Sequence, residues 1–191
     1  EKAIQIRPQA EMYFYCGNAY FANHLYERAA QNFHQALILD PKDINSLNNL
    51  GYAYLNLNKF GDAFKLFSEV LTLDSNYIDA LIGQGIIFYK NKKYEQAVDE
   101  YKKVLEIDPI NKKVNYYLGQ SYYANGEYTE AINILEKASA EGPYFVDSLY
   151  CLGLTYQEIG ETDKAIEIFQ SALKIAPSRE DIKKALFKIQ H

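Results

Sequence analysis

The chain has 191 residues, 48% of them hydrophobic and 24% charged, and carries a formal net charge of −5 at pH 7. This balance belongs to a packed chain in water and excludes disordered and fibrous classes, while the acidic sum speaks against nucleic acid as a partner, which needs a basic footprint. No run approaches the roughly 18 apolar residues of a membrane span, no signal-peptide core opens the chain, and two cysteines are too few for a disulfide scaffold or a cysteine-only zinc site.

Residues 1–9 read as the tail of a helix without its partner: Ala3, Ile4, Ile6 and Pro8 match Ala36, Leu37, Leu39 and Pro41. The reading predicts a helix tail closed by Pro8 and a chain cut from a longer protein with at least one more repeat upstream. Five units of equal length follow at 10–43, 44–77, 78–111, 112–145 and 146–179, and a last helix at 180–191. Their register is set by Gly17, Gly51, Gly85, Gly119 and Gly153, each at the eighth place of its unit. An aromatic stands three places after each glycine (Tyr20, Tyr54, Phe88, Tyr122, Tyr156) and an alanine twelve after it (Ala29, Ala63, Ala97, Ala131, Ala165). Sixteen after it come Phe33, Phe67, Tyr101, Leu135 and Phe169, and the units close at Pro41, Ser75, Pro109, Pro143 and Pro177. Self-similarity at such a period means stacked units, each burying an apolar face that its neighbour cannot cover alone.

Each unit reads as two helices, A and B. In the second, Leu47, Leu50, Tyr54 and Leu57 recur at three- and four-residue spacing; Asn58 and Lys59 turn the chain; Ala63, Leu66, Phe67, Val70 and Leu71 resume the pattern. The closing proline ends helix B, because it lacks an N–H and disfavours helical geometry in the residue before it. A glycine inside helix A costs about 1 kcal/mol relative to alanine, and close approach of the partner helix is its expected compensation. At the C-terminus, Ser178 to Asp181 has the form of a capping box. Ile182, Ala185, Leu186 and Ile189 then give an apolar stripe with lysines opposite, the pattern of a capping helix.

The spacing Leu/Tyr–x–x–Leu–Gly–x–x–Tyr in helix A, with alanine, an aromatic and alanine in helix B and a closing proline, resembles the tetratricopeptide repeat. The departures are Cys16 and Gln84 at a leucine position, Asn115 at a large apolar one and Thr162 where Tyr26, Phe60, Tyr94 and Tyr128 stand. The resemblance implies an all-α fold, a right-handed superhelical solenoid of antiparallel helix pairs in which the A helices line a concave groove. It implies a protein-interaction scaffold rather than an enzyme, with no cofactor and no metal.

The helix A positions not used for packing then face that groove. They place Phe14, Asn18 and Phe21 there from the first repeat, Asn48, Asn49 and Tyr52 from the second, and Ile86 and Tyr89 from the third. The fourth adds Tyr116, Tyr117, Gln120 and Tyr123, and the fifth Tyr150. Tyrosine brings large apolar area with few rotatable bonds and a polar tip, and amides pair with the N–H and C=O of an extended backbone. The competing reading of each ring is packing between adjacent A helices. Five A helices at roughly 10 Å spacing span on the order of 40 Å, about 12 residues of extended guest. The expected partner is therefore another protein, bound as an extended peptide or helix. A homo-oligomer and a targeting module cut from a larger enzyme are the alternatives, and free thiols without a visible signal point to the cytoplasm.

One subtype of the family grips a C-terminal carboxylate with lysines, an arginine and asparagines. Its positions here read Phe14, Asn18, Asn49, Asp79 and Gly83; without the cations a carboxylate loses its desolvation compensation. Cys16 falls at a buried leucine position and is expected in the core. Cys151 falls in the groove set and is the candidate reactive thiol, with no histidine at a predictable distance. His24, His34 and His191 are scattered, and Asp40, Asp74 and Asp108 sit near helix ends, where turn formation accounts for them.

Overall fold

The structure is a computed structural model that describes residues 2–139 and 145–191, with side chains from residue 9 onward. Pro143 and the side chains of Ala3, Ile4, Ile6 and Pro8 lie outside the described residues. Eleven helices and no strands make up the described chain, an all-α repeat solenoid: α1 (Lys2–Ala22), α2 (Tyr26–Leu39), α3 (Ile44–Asn56), α4 (Phe60–Leu73), α5 (Ile78–Lys90), α6 (Tyr94–Ile107), α7 (Lys112–Asn125), α8 (Tyr128–Ala138), α9 (Phe145–Glu158), α10 (Thr162–Ile175) and α11 (Glu180–Gln190). Two compact units comprise Glu1–Ile87 and Phe88–His191.

In the first unit α1 packs on α2, α2 on α3 and α3 on α4. Its core is built from the repeat positions: Ala29, Phe33, Leu50 and Ala53 in one cluster, Leu47, Ala63, Phe67, Val70, Ala80 and Ile87 in the next. Helix α1 runs through Pro8 without a break, whereas the sequence predicts a tail closed at that proline. A proline inside a helix disfavours the helical state in the residue before it, removes one N–H and crowds the carbonyl four residues back; it weakens a helix rather than forbidding one, and α1 continues on both sides of it. Gln84, at a leucine position, is buried because its Nε2 donates to the Ser68 hydroxyl at 2.9 Å, which itself donates to the Phe64 carbonyl.

In the second unit α6 to α11 pack in chain order, with α7 also against α9 and α9 against α11. Ile182 of α11 is fully buried in a cluster with Leu149, Ala165, Phe169 and Ala172, joined by Leu186 and Ile189. The capping box expected at Ser178 does not form. Arg179 is the N-cap residue and no side chain caps the helix: a guanidinium has no acceptor, and Asp181, the acid of the expected box, accepts two hydrogen bonds of 2.9 and 2.8 Å from it.

The expected close approach at the helix A glycines takes a specific form. A Cβ on Gly17, Gly51, Gly119 or Gly153 would meet the side chain sixteen places on, Phe33, Phe67, Leu135 or Phe169, at under 3.0 Å. The glycine accommodates a ring or leucine tip from helix B, not its backbone. Gly83, which the groove pattern exposes, is buried on the other side of Phe67, with the ring 2.5 Å from the position of its missing Cβ.

The A-to-B turns repeat one geometry. His24, Asn58, Lys92, Gly126 and Gly160, which hold the same place in each of the five repeats, all have positive φ between 57° and 82°. The next residue in each case donates its N–H to the carbonyl five back, at 2.9 Å, the Schellman closure of a helix C-terminus.

Candidate functional site

In the first unit α1 supplies Phe14, Asn18 and Phe21, α3 supplies Asn48, Asn49 and Tyr52, and α5 supplies Ile86. All are half-buried except Asn48, which is 4% exposed. The rings rest on the repeat's own packing. Phe14 contacts the buried Phe33 (centroids 6.1 Å), Tyr52 stands edge-on to the buried Phe67 (5.1 Å), and Phe21 meets Tyr26 (5.3 Å). The Tyr52 hydroxyl donates to the Asp79 carbonyl at 2.7 Å. The three amides form a relay: Asn48 Nδ2 donates to Asn49 Oδ1 at 3.2 Å, and Asn49 Nδ2 donates to Asn18 Oδ1 at 2.8 Å. Asn48 Oδ1 is buried without a hydrogen-bond partner. Asn18 and Asn49, the two carboxylate-gripping positions that match in type, thus bind each other.

In the second unit Tyr89, Tyr116, Tyr117, Gln120, Tyr123 and Tyr150 are half-buried. Tyr117 stacks on the buried Tyr101 (5.8 Å, 21°) and Tyr150 lies against the buried Phe169 (6.1 Å). Tyr89 meets Tyr94, and Tyr123 meets Tyr128. Gln120 Nε2 donates to the Tyr116 hydroxyl at 3.1 Å. Tyr89, Tyr116, Tyr123 and Tyr150 gather around Cys151 closely enough that each would feel a charge on its sulfur. Burial, then the nearby Asp147 carboxylate, pushes the Tyr116 phenol up to about 12; burial, then Glu158, does the same to Tyr123. These hydroxyls are neutral donors across the physiological range.

The two cysteines exchange the places expected of them. Cys151 is 6% exposed and its thiol is pushed up to about 12 by burial, against a smaller opposing effect of the Thr155 hydroxyl, so it is not a reactive thiol. Cys16 is exposed. Its counterparts Leu50, Leu118 and Leu152 are buried, Leu50 against residues of the preceding helix B, but α1 runs straight on upstream and no described helix folds back over Cys16. Met12, Tyr15, Cys16 and Ala19 consequently form an exposed stripe on α1. His24 lies in a turn, bonded to the Tyr26 hydroxyl at 2.8 Å, and His191 stacks on Phe187.

Sequence reasoning missed Arg179. Besides Asp181, its guanidinium donates from Nη1 to Asp147 Oδ1 at 2.7 Å and lies 5.9 Å from the centre of the Tyr150 ring. It also missed the pairing of candidate site rings with the aromatic five places on, seen in Phe21–Tyr26, Tyr89–Tyr94 and Tyr123–Tyr128. That spacing was legible in the repeat pattern.

Models of the tetratricopeptide repeat match residues 17–58, 44–73, 88–150 and 146–179. No curated protein sequence matches the chain. Among solved structures it is similar to MamA, residues 41 to the end, from Desulfovibrio magneticus RS-1 (22% identity, TM-score 0.79, covering 90% of this chain and 97% of that one). TTC0263, a thermophilic TPR protein in Thermus thermophilus, shares 20% identity with a TM-score of 0.75 over 95% of this chain and 98% of that one. YrrB, described as a TPR protein with an unusual peptide-binding site, shares 22% identity with a TM-score of 0.75 over 96% and 95%. At these identities the likeness is one of fold. With the glycine register, the helix B side chain seated on Gly17, Gly51, Gly119 and Gly153 and the recurring turn, the matches place the chain in the tetratricopeptide repeat family.

Proposed function

We propose that the chain is a non-catalytic, cytoplasmic scaffold that holds an extended segment of a partner protein on the aromatic and amide faces of its A helices. The observation that carries this reading is the tyrosine group around Cys151. Tyr89, Tyr123 and Tyr150 rest on helix B or buried rings and Tyr116 packs against Tyr117, so their orientation is set before a guest arrives, and each keeps an open edge. Rigid, amphipathic rings lose little entropy on binding and suit a recognition surface. The half-buried Asn18 and Asn49, held by the amide relay, offer the first unit's face polar groups for a guest backbone. That YrrB is described as having a peptide-binding site supports the reading by analogy of fold alone. Replacing Tyr52, Tyr89 and Tyr123 by alanine is expected to abolish partner capture in an affinity pull-down read by mass spectrometry, each ring contributing on the order of tenfold in affinity, with the helical circular dichroism nearly unchanged. Undiminished capture refutes the assignment.

The exposed stripe of α1, with Met12 53% and Tyr15 65% exposed, favours a second reading in which copies associate through that helix. Light scattering over a concentration series separates the two, since a strict monomer excludes it.

A further inference from the structure

The A-to-B turns share a backbone but not a chemistry. Asn23, Asn91 and Asn125 hold the same place in the first, third and fourth repeats, each just before the residue of positive φ: His24, Lys92 and Gly126. Asn125–Gly126 is the chain's single Asn–Gly step. The carboxamides of Asn23 and Asn125 also differ in direction. Asn23 Nδ2 turns back and donates to the Ala19 carbonyl of its own helix at 2.8 Å. Asn125 Nδ2 reaches forward past Gly126 and donates to Glu127 Oε1 at 2.6 Å, so its carboxamide leans over the glycine instead of the helix. Gly126 is exposed and has no side chain to screen its nitrogen. Local hydrogen bonds keep that nitrogen from the carboxamide carbon. The Gly126 N–H donates to the Tyr123 carbonyl at 3.1 Å and the Glu127 N–H to the Tyr122 carbonyl at 2.9 Å, while the Glu127 side chain tethers the carboxamide.

We infer that Asn125 is a covalent modification site that cyclises onto Gly126 when the end of α7 frays. The Gly126 nitrogen attacks Asn125 Cγ: a C–N bond forms, the Cγ–Nδ2 bond breaks, and Nδ2 leaves as ammonia with the proton of the glycine amide. Water then opens the five-membered imide. Cleavage at Cγ leaves aspartate; cleavage of the former peptide bond leaves isoaspartate, with the backbone rerouted through Cγ. Water enters, ammonia leaves, and nothing is oxidised or reduced. Fraying comes first because the attacking N–H must leave its carbonyl, and helix ends open at low free energy. Glu127 is the guard: its carboxylate fixes the carboxamide, and its charge opposes loss of a proton from the adjoining amide. Either product replaces the Asn125 donor with an acid facing Glu127, so attraction becomes repulsion. Isoaspartate also adds a methylene to the turn that Tyr123 and Tyr128 bridge, ring to ring, at 6.0 Å. The reaction therefore loosens the second unit beside Tyr123, whatever that ring binds.

The test incubates the full chain at mildly alkaline pH without denaturant and maps its peptides over time by mass spectrometry. Labelling by an isoaspartyl methyltransferase counts the isoaspartate. Conversion is expected at Asn125 at least about tenfold faster than at Asn23 or Asn91, with aspartate and isoaspartate appearing together. Gly126→Lys copies the Asn91–Lys92 step, whose second residue also has positive φ, and is expected to slow conversion of Asn125 to the rate at Asn91. Glu127→Ala removes the guard without removing a helix cap, since the Glu127 side chain makes no capping bond. It is expected to raise the rate about fivefold, the equivalent of one hydrogen bond. In the converted chain, hydrogen-exchange protection of the Glu127 amide is expected to be lost while α9 and α10 keep theirs. Conversion at Asn125 no faster than at Asn23, an undiminished rate in Gly126→Lys, or a rate unchanged or lowered in Glu127→Ala overturns the inference.

Discussion

The side chain sixteen places after each helix A glycine determines how near the two helices of a pair come. Phe33, Phe67, Leu135 and Phe169 are fully buried and occupy the volume that a Cβ on the glycine would claim. The same rings form the floor on which Phe14, Tyr52 and Tyr150 stand, so core and candidate site share atoms. Burial at this scale also separates the two thiols. At pH 8 under native conditions, iodoacetamide is expected to modify Cys16 completely and leave Cys151 intact, both reacting in denaturant; peptide mass mapping reads the difference. The exchange of their roles could not be read from the chain, because the helix A leucine position predicts burial only where a preceding helix folds back upon it. Among the described residues Cys16 has the position without that neighbour.

At the scale of the element, α11 is held in two ways: by Ile182, Leu186 and Ile189 in the core cluster, and by the Arg179–Asp181–Asp147 contact at its start. Hydrogen bonding from Arg179, against a smaller effect of burial, holds the Asp181 carboxyl below its ordinary value of 3.8. A depressed carboxyl contributes stability that is fully present above its unfolded pKa and lost as pH falls through the folded one. Amide hydrogen-exchange protection in the first turn of α11, taken relative to the intrinsic rate at each pH, is therefore expected to fall as pH drops below about 4, while Asp181→Asn lowers it already at neutral pH and flattens its acid response. The amphipathic stripe of α11 was legible in the sequence because a helical period survives any context. The local chemistry at its start was not, since the capping box competes with a guanidinium that also has Asp147, far back in the chain, to satisfy.

For the whole molecule, the constant repeat period carried nearly all of the fold: glycine, alanine and ring positions recur without insertion, and each implies a contact within its own or the next repeat. The candidate site was less legible. Helical phase separates Tyr116 and Tyr150 from the packing positions, and both are half-buried, but it does not tell that Asn48 is buried or that Asn18 and Asn49 bond to each other, because those outcomes depend on the adjoining helix. An array whose stability sums repeat by repeat and interface by interface responds to damage locally. Phe169→Ala is expected to cost about 3–5 kcal/mol, with hydrogen-exchange protection lost in α9, α10 and α11 and retained in α1 to α3. Uniform loss throughout the chain would show a single cooperative unit instead. Because Gly17 and Phe33, Gly51 and Phe67, and Gly153 and Phe169 each lie within one repeat, a copied repeat brings both halves of its lock along. Such a chain can lengthen by gene duplication without redesigning its interior, leaving the surface residues free to diverge.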